Sequence, residues 1–583
     1  MKHPFIPEDA PFTGDQKSWL AGFKAGLESA KLISSENSVL ESDSVNKDAP
    51  SVNILYGTQT GNAEGLAMDA ANIAKANGIN PIVNGFDDIT IDDFSSMDNV
   101  VVSIATYGEG EMPDSAQLFW EALSSEEMKK LPNMKFAVLA LGDTGYDEFC
   151  QAGKLLDRRL EQLGATRLID RIDCDVDYED LAEDWLNKTI PLTSKNKNKT
   201  SIKAVSEGAK KTKWTRKNPY PSILAKNILL SQETSAKEIR HYEFDLGDSE
   251  ITYEAGDALN VMPVNDEELV RAILSRLNID NSFMIEAEDQ SFGDLLKSHY
   301  EIMTPSKDLI NAIVNLDSDG ELSHLMNKGD KDAINHFLWG KDTLDLLNLN
   351  KNIKFSPQEF INLLRPLQHR AYSISSSPNK HPGFVHLTVA SVRWQNEDRE
   401  HKGVCSTYLA DRLNNQDKAG IFISKNKSFS IPSDDDAPMI MIGPGTGIAP
   451  FRAFLEEREF RQASGDNWLF FGDQTRSSDF IYEQQLKDFQ RTGLLNQLDL
   501  AFSRDQKEKI YVQHRMLEKG EKLFSWLERG GYFYVCGDAS RMAHDVDKAL
   551  HDLVSIHGKY STDEAIEYVN NLKRDKRYLR DVY

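Results

Sequence analysis

No run in the 583-residue chain reaches the roughly 18 to 20 uninterrupted apolar residues that cross a bilayer. The opening MKHPFIPEDAPF sets prolines and acids where a secretory signal has an apolar core. The expectation is a cytoplasmic chain with no membrane partner. Cysteine is scarce. The four present, Cys150, Cys174, Cys405 and Cys536, never form a C-x-x-C pair. That argues against a disulfide framework and against a zinc site, and it fits a reducing compartment; no metal is expected. Positive charge is also short, because 67 basic residues against 92 acidic ones leave a net charge of −25. Phosphate backbones need a basic surface, so nucleic acid is not an expected partner.

What is present is an ordinary globular composition, 40% hydrophobic and 27% charged, long enough for roughly three to four domains. The acid is unevenly placed. Between Ser51 and Leu192 there are 26 acidic residues against 10 basic ones. Such a face either keeps the protein soluble or steers a basic protein partner.

Residues 1–50 read as an appendage. SWLAGFKAGLESAKL (18–32) has helical spacing at Trp19, Leu20, Phe23 and Leu27, which suits packing on the next domain or oligomerisation. Across 51–192 the pattern is strand, glycine turn, helix: SVNILYG, then NVVVSIATYGEGE, then KFAVLALGDTGYDEF. Apolar strands joined by crossover helices predict a doubly wound parallel sheet. Residues 193–216 carry eight basic residues, one acid and no apolar period, which reads as a flexible linker. From 217 to 436 short alternating strands (HYEFDL, HLTVASVRW, AGIFISK) predict an antiparallel β-barrel, interrupted by a helical insertion over about 267–367. From 437 to 583 the α/β alternation returns and predicts a second open parallel sheet.

Three turns in the first α/β region sit at the C-terminal ends of strands, where doubly wound sheets bind ligands. The first is Thr58-Gln59-Thr60-Gly61-Asn62-Ala63, at the start of a helix. Its hydroxyls, inward amides and helix dipole make an anion cradle without the lysine of a nucleotide loop, which suits a flavin monophosphate. The second is Ala105-Thr106-Tyr107-Gly108 and the third runs from Leu141-Gly142-Asp143 through Tyr146 to Phe149-Cys150. Tyr107 and Tyr146 are placed to stack on a flat ring.

Here the sequence, over residues 50–583, resembles the diflavin reductases, in which a flavodoxin is fused to a ferredoxin–NADP reductase module. The resemblance implies that these three loops hold FMN. It continues in Arg370-Ala371-Tyr372-Ser373, similar to the family's R-x-Y-S motif, where arginine meets the FAD pyrophosphate, tyrosine packs on the flavin and serine lies near N5. A guanidinium grips pyrophosphate bidentately, which gives the motif its own physical sense. Thr388-Val389-Ala390 with Trp394 resembles the strand along FAD, and Gly403-Val404-Cys405-Ser406 the second pyrophosphate loop. Ala371 and Cys405 depart from common family residues, and Cys405 reads as small packing.

The turn around Gly445-Thr446, between a strand and a helix, resembles the family's nicotinamide loop. NADP rather than NAD needs cations for the 2′-phosphate. Ser503-Arg504 and Lys509, with Tyr511 and Gln513, supply them in the family's S-R…K-x-Y-V-Q pattern. Cys536 resembles the cysteine beside nicotinamide C4, and Asp545 a further cofactor contact. The ending Arg580-Asp581-Val582-Tyr583 resembles the family's terminal lid. In that reading Tyr583 stacks on FAD and yields to nicotinamide, while Asp581 supports hydride transfer with Ser373 and Cys536. The cofactors implied are NADPH, FAD and FMN.

Two features resemble the sulfite-reductase flavoprotein branch of the family: Asn362-Leu363-Leu364-Arg365-Pro366-Leu367 leading into R-x-Y-S, and Gln16 to Phe23, similar to that branch's self-association segment. The implied partner is a sirohaem/iron–sulfur hemoprotein (beta) subunit that reduces sulfite to sulfide, and the chain would form a homo-oligomer through its N-terminal segment. A stand-alone reductase for a haem monooxygenase is an alternative. A flavin-carrying module without NADPH turnover is another, which Cys536, Asp581 and Tyr583 argue against.

Overall fold

The structure, a computed structural model, describes residues 50–59, 61–194, 213–285 and 288–583. The N-terminal segment, most of the basic stretch 193–216 and Thr60 therefore lie outside the described residues.

In the first unit β1 (Ser51–Gly57), β2 (Asn80–Gly85), β3 (Asn99–Ala105), β4 (Lys135–Leu141) and β5 (Thr166–Arg167) form a parallel sheet in the order β2-β1-β3-β4-β5. A short β6 (Ile172–Cys174) also pairs with β4. The central strands read as unbroken apolar runs because helices cover both faces. Ala67, Ala70 and Trp185 pack on one face, while Phe119, Leu156 and Leu160 pack on the other. The chain leaves β1 for β2 on one side and then returns to β3 on the other. That reversal opens a crevice at the C-terminal ends of β1 and β3.

The second unit is antiparallel. Its strands are β7 (Tyr220–Leu229), β8 (Glu238–Asp245), β9 (Ala258–Val261), β12 (Arg370–Ser373), β13 (Phe384–Ser391) and β16 (Lys418–Ser424), in the order β12-β9-β16-β7-β8-β13. An Ile374–Leu387 bridge joins the two ends and closes the sheet into a barrel. Alternation puts Leu224, Phe244, Leu259, Val385 and Ile421 inside. Between β9 and β12 lies a set of short helices from Glu267 to Asn362 with its own core around Phe292 and Phe360. They accompany a small hairpin, β10 (Met284–Ile285) and β11 (Gln290–Ser291). The stretch HLTVASVRW does not form one strand. It breaks at the exposed Val392, after which β14 (Arg393–Asn396) pairs with β15 (Arg399–Lys402) outside the barrel.

The third unit is a parallel sheet of β17 (Met439–Ile442), β18 (Asn467–Asp473), β19 (Gln497–Phe502), β20 (Tyr532–Gly537) and β21 (Tyr578–Val582), ordered β19-β18-β17-β20-β21. All of MIMI in β17 is buried, as befits a central strand covered on both faces. A polar network ties this unit to the barrel. The Tyr482 hydroxyl meets His241 Nδ1 at 2.8 Å and Thr388 Oγ1 at 2.7 Å, and Arg452 pairs with Glu456 and donates to the Ser375 carbonyl. Burial pushes His241 down to about 4, so the seam carries a neutral imidazole at pH 7. Among the described residues no helix is long and apolar enough to cross a membrane.

Candidate functional site

In the first loop Gly61 takes a left-handed φ of +88°, and a Cβ there would lie 2.2 Å from the Lys425 carbonyl of the barrel. Glycine is therefore required twice over. Gly61 N–H donates to Thr58 Oγ1 (2.9 Å), and Thr58 N–H to Ser115 Oγ (2.9 Å). The helix Asn62–Ala76 starts without a side-chain cap, so no side chain answers its first amides. Uncapped amides beside hydroxyls fit a phosphate. Gln59 and Asp114 hold one another, with Asp114 N–H donating to Gln59 Oε1 at 3.0 Å. The second and third loops join through Ala152 N–H to Thr106 Oγ1 (3.3 Å) and Thr106 N–H to the Leu141 carbonyl (2.9 Å). The Gly142 amide donates to the Cys174 carbonyl, and Asp143 Oδ1 accepts from Gly145 N–H. Tyr146 is half exposed, whereas the Cys150 side chain turns into the core. Gly108 is exposed and Phe149 partly buried, while Ala63 belongs to the core of the first unit and Ala105 packs against it.

On the barrel, Arg370 leads strand β12, and its guanidinium reaches Glu301 Oε2 at 3.2 Å while staying partly exposed. Ala371 points to solvent and Tyr372 is half-buried. The short helix after Gly403 begins uncapped at Val404, with Cys405 buried and Ser406 Oγ accepting from Val392 N–H at 3.1 Å. Two buried polar atoms beside these segments, Ser391 Oγ and His369 Nδ1, have no protein partner. A large ligand with donors and acceptors would satisfy them. Thr388 faces the inter-unit seam, Val389 the barrel core, and Ala390 packs against the third unit. Trp394 donates its indole N–H to the Gly340 carbonyl (2.9 Å), and one ring face is covered by His401.

Three residues far apart in sequence meet where the barrel touches the third sheet. Ser373 Oγ donates to Asp581 Oδ2 at 2.5 Å, and Cys536 Sγ lies 4.0 Å from the same oxygen. Burial holds the Asp581 carboxyl above its usual range. Burial and the Asp581 charge raise Cys536, which stays a thiol. The Tyr583 hydroxyl lies 3.1 Å from Thr446 Oγ1, and the residue as a whole is 63% exposed. Gly447 must be glycine, because a Cβ would stand 2.2 Å from the Cys536 carbonyl.

Further along the same edge Ser503 N–H donates to the Asp473 carbonyl (2.9 Å). Arg504 and Lys509 are exposed, and among the described residues neither forms an ion pair. Tyr511 stacks on His514, and Gln513 donates to Asp545 (3.0 Å). Two free cations beside an exposed tyrosine fit a phosphorylated nucleoside.

The first unit is docked, with all three loops against the others. Arg580 grips Asp114 with two nitrogens (Nε–Oδ2 2.8 Å), and Tyr107 donates to the Val582 carbonyl (3.3 Å). Lys427 pairs with Glu64, Arg365 with Asp143, and Lys576 with Asp88. A cavity of about 590 Å³ runs along this seam between Phe86 and Lys573.

Three family models match in succession: Flavodoxin over 54–186, FAD binding domain over 212–408 and Oxidoreductase NAD-binding domain over 441–548. The sulfite reductase [NADPH] flavoprotein alpha-component of Bacillus subtilis is 38% identical, covering 100% of this chain and 99% of that protein. Those of Vibrio cholerae and Mannheimia succiniciproducens are each 39% identical over 97% of this chain, covering 93% and 96% of theirs. This chain belongs to the sulfite reductase flavoprotein alpha-component family.

Family membership bears out the resemblance read from the loops and the α/β, barrel, α/β architecture. Sequence reasoning missed several residues the fold brings to these sites. Arg580 stood inside a quoted motif but its partner Asp114 is 466 residues away. The Asn362–Leu367 motif contains Arg365 but carries no sign of its contact with Asp143 of the third loop. Asp87 and Asp88, part of the acidic stretch that suits either solubility or a partner surface, face Lys576 of the same chain.

Proposed function

We propose that this chain is the NADPH-oxidising component of a sulfite reductase. When bound, NADPH supplies a hydride to FAD, and FMN carries electrons one at a time to the acceptor. The chain's own residues bind, orient and shield. Thr58 to Ala63, Ala105 to Gly108, and Leu141, Gly142, Asp143, Tyr146, Phe149 and Cys150 hold FMN, its phosphate on the uncapped helix. Arg370 to Ser373, Thr388 to Ala390, Trp394, Gly403 to Ser406 and Tyr583 hold FAD. Gly445, Thr446, Ser503, Arg504, Lys509, Tyr511, Gln513 and Asp545 hold NADPH. Ser373, Cys536 and Asp581 form the catalytic group, in which Asp581 accepts the hydrogen bond of the Ser373 hydroxyl and so orients that hydroxyl, and Tyr583 excludes water until nicotinamide enters.

The meeting of Ser373 with Asp581 and Cys536 carries this reading, since a flavin-carrying module has no use for such a group between barrel and nucleotide sheet. The domain limits that suit it are 51–192, 217–436 with the insertion 267–367, and 437–583, joined by the linker 193–216. The acceptor is a sirohaem/iron–sulfur hemoprotein subunit, the location cytoplasmic, and residues 1–50 serve self-association. The test mixes purified chain, NADPH, sulfite and a sulfite reductase hemoprotein, and measures sulfide. Sulfide that requires both proteins supports the assignment. Dye reduction by NADPH with no sulfide overturns the choice of acceptor, and no dye reduction overturns the reductase itself.

A further inference from the structure

The hairpin that leaves the barrel at Val392 fixes one aromatic ring from several sides. Trp394 of β14 lies directly opposite His401 of β15. The two rings are nearly parallel, at 21°, with centroids 5.5 Å apart. The indole N–H donates to the Gly340 carbonyl of the helical insertion at 2.9 Å. Gly340 has a φ of +74°, and a Cβ there would stand 3.0 Å from Trp394 Nε1, so the insertion backbone closes directly on the indole. Trp394 is nevertheless only half-buried, packed against the rim of the insertion core.

His401 is itself held. It is 1% exposed, and its Nε2 donates to Asp345 Oδ2 at 2.7 Å. Arg399, two residues earlier and so on the same face of the hairpin, donates to Asp342 and to Asp345 Oδ1 (2.8 Å). Both acids sit at the start of the short helix Thr343–Asn348, where Asp342 Oδ1 accepts the Asp345 amide at 3.0 Å. Asp342 is fully buried, and its Oδ2 has no partner among the described residues, standing 3.7 Å from His401 Nε2. Stability alone does not call for such a network, because apolar residues of similar volume hold two segments together as well or better. Fixing the angle of a ring does call for it, since hydrogen bonds are directional and packing is not.

The hairpin runs straight into the loop Gly403–Ser406. The Gly403 N–H donates to the Val392 carbonyl at 2.8 Å and closes the base of the hairpin, which sets the spacing between that loop and Trp394. With the FAD pyrophosphate at Gly403–Ser406 and the flavin ring at Ser373, the flat ring left to place is adenine, and the flat side chain beside the loop is Trp394. Resting on the FAD reading above, we propose that His401 is a positioning residue for FAD: fixed by Asp345, it backs one face of Trp394 so that the other face is presented to adenine. The helical insertion thereby takes part in FAD binding, through Asp345 and the Gly340 carbonyl, although neither belongs to the barrel.

The test titrates the FMN-loaded full-length chain, stripped of FAD, with FAD. His401→Leu fills the space without a flat ring and should weaken FAD about 2- to 12-fold, the range of one aromatic pair. His401→Phe keeps a ring and should bind FAD nearly as wild type does. Asp345→Ala should match the loss in His401→Leu, and Asp345→Asn, whose amide oxygen still accepts from His401, should restore most of it. Trp394→Ala should weaken FAD by itself, and adding His401→Leu to it should weaken FAD no further. FMN should stay bound in every variant. Unchanged FAD affinity in His401→Leu overturns the proposal. So does an equal loss in His401→Leu and His401→Phe, or a loss of the same size with and without Trp394, either of which marks plain structural support. FAD affinity unmoved by Trp394→Ala refutes the FAD reading of Trp394 instead.

Discussion

Arg580→Ala should undock the first unit without damaging the hydride group one residue away. Arg580 holds Asp114 bidentately, and the two side chains are 27% and 31% exposed. Fully exposed pairs are worth about 0.2–1 kcal/mol, whereas breaking a buried pair costs about 3–5 kcal/mol. Intermediate burial and the weak second hold on Asp114, Gln59 Nε2 at 3.4 Å, place this loss at about 1–3 kcal/mol. At 1.4 kcal/mol per tenfold, the docked-to-undocked ratio falls about 5- to 150-fold. Small-angle scattering at low salt should show the variant larger than wild type. Ferricyanide reduction by NADPH, measured beside it, should persist while electron transfer to FMN slows in rapid mixing. Raising the salt should bring wild type toward the variant, since screening acts over about 10 Å at 0.1 M. The exchange Arg580→Asp with Asp114→Arg should restore docking. Identical scattering and identical FMN reduction in Arg580→Ala would refute the reasoning, and the remaining pairs would then carry the dock.

Asp581 has its carboxyl raised by burial, so the folded chain binds that proton more tightly than the unfolded one, whose value is about 3.9. Its contribution to stability is present below that value and is lost as pH rises through the folded one. Asp581→Asn should therefore melt higher than wild type at pH 7 while losing turnover, and the acid limb of the kcat profile should vanish; an unmoved limb would count against the role. Gly447→Ala must part the loop from the Cys536 carbonyl and should cost about 1–3 kcal/mol, seen as a lower Tm together with a raised KM for NADPH. Tyr583→Ala should relax the preference for NADPH over NADH, and an unchanged ratio of kcat/KM would remove the lid.

What was legible in the sequence was local. Strand–turn–helix order, the hydroxyl-rich turn at Thr58, the break into short alternating strands and the S-R…K-x-Y-V-Q spacing each depend on residues within a dozen positions of one another. What was not legible depends on closure. The bridge Ile374–Leu387 that turns a sheet into a barrel has no signature of its own. Asp345 lies in a short helix like many others, and nothing near it names His401, which is 56 residues later. The end of HLTVASVRW was misjudged because β propensity continues through Val392, while the chain leaves the barrel there to pair with β15. The acidic stretch suggests solubility or a partner-steering face, yet Asp88, Asp114 and Asp143 each meet a cation of the same chain.

The last strand shows why those two kinds of information meet at the C-terminus. A strand presents successive side chains to opposite faces, so Arg580 and Asp581 cannot serve one partner. Arg580 turns to the first unit, and Asp581 turns to Ser373. The Val582 carbonyl then takes the Tyr107 hydroxyl, and the Tyr583 hydroxyl reaches Thr446. Four consecutive residues thus touch all three units, and none of the four contacts is local. Register is what makes this work: pairing Cys536 with Asp581 in the β20–β21 ladder sets which face each residue takes. A slip of one residue would exchange the faces, turning Arg580 toward Ser373 and Asp581 toward Asp114. Both the hydride group and the dock would be lost together, so one short strand has to satisfy both at once.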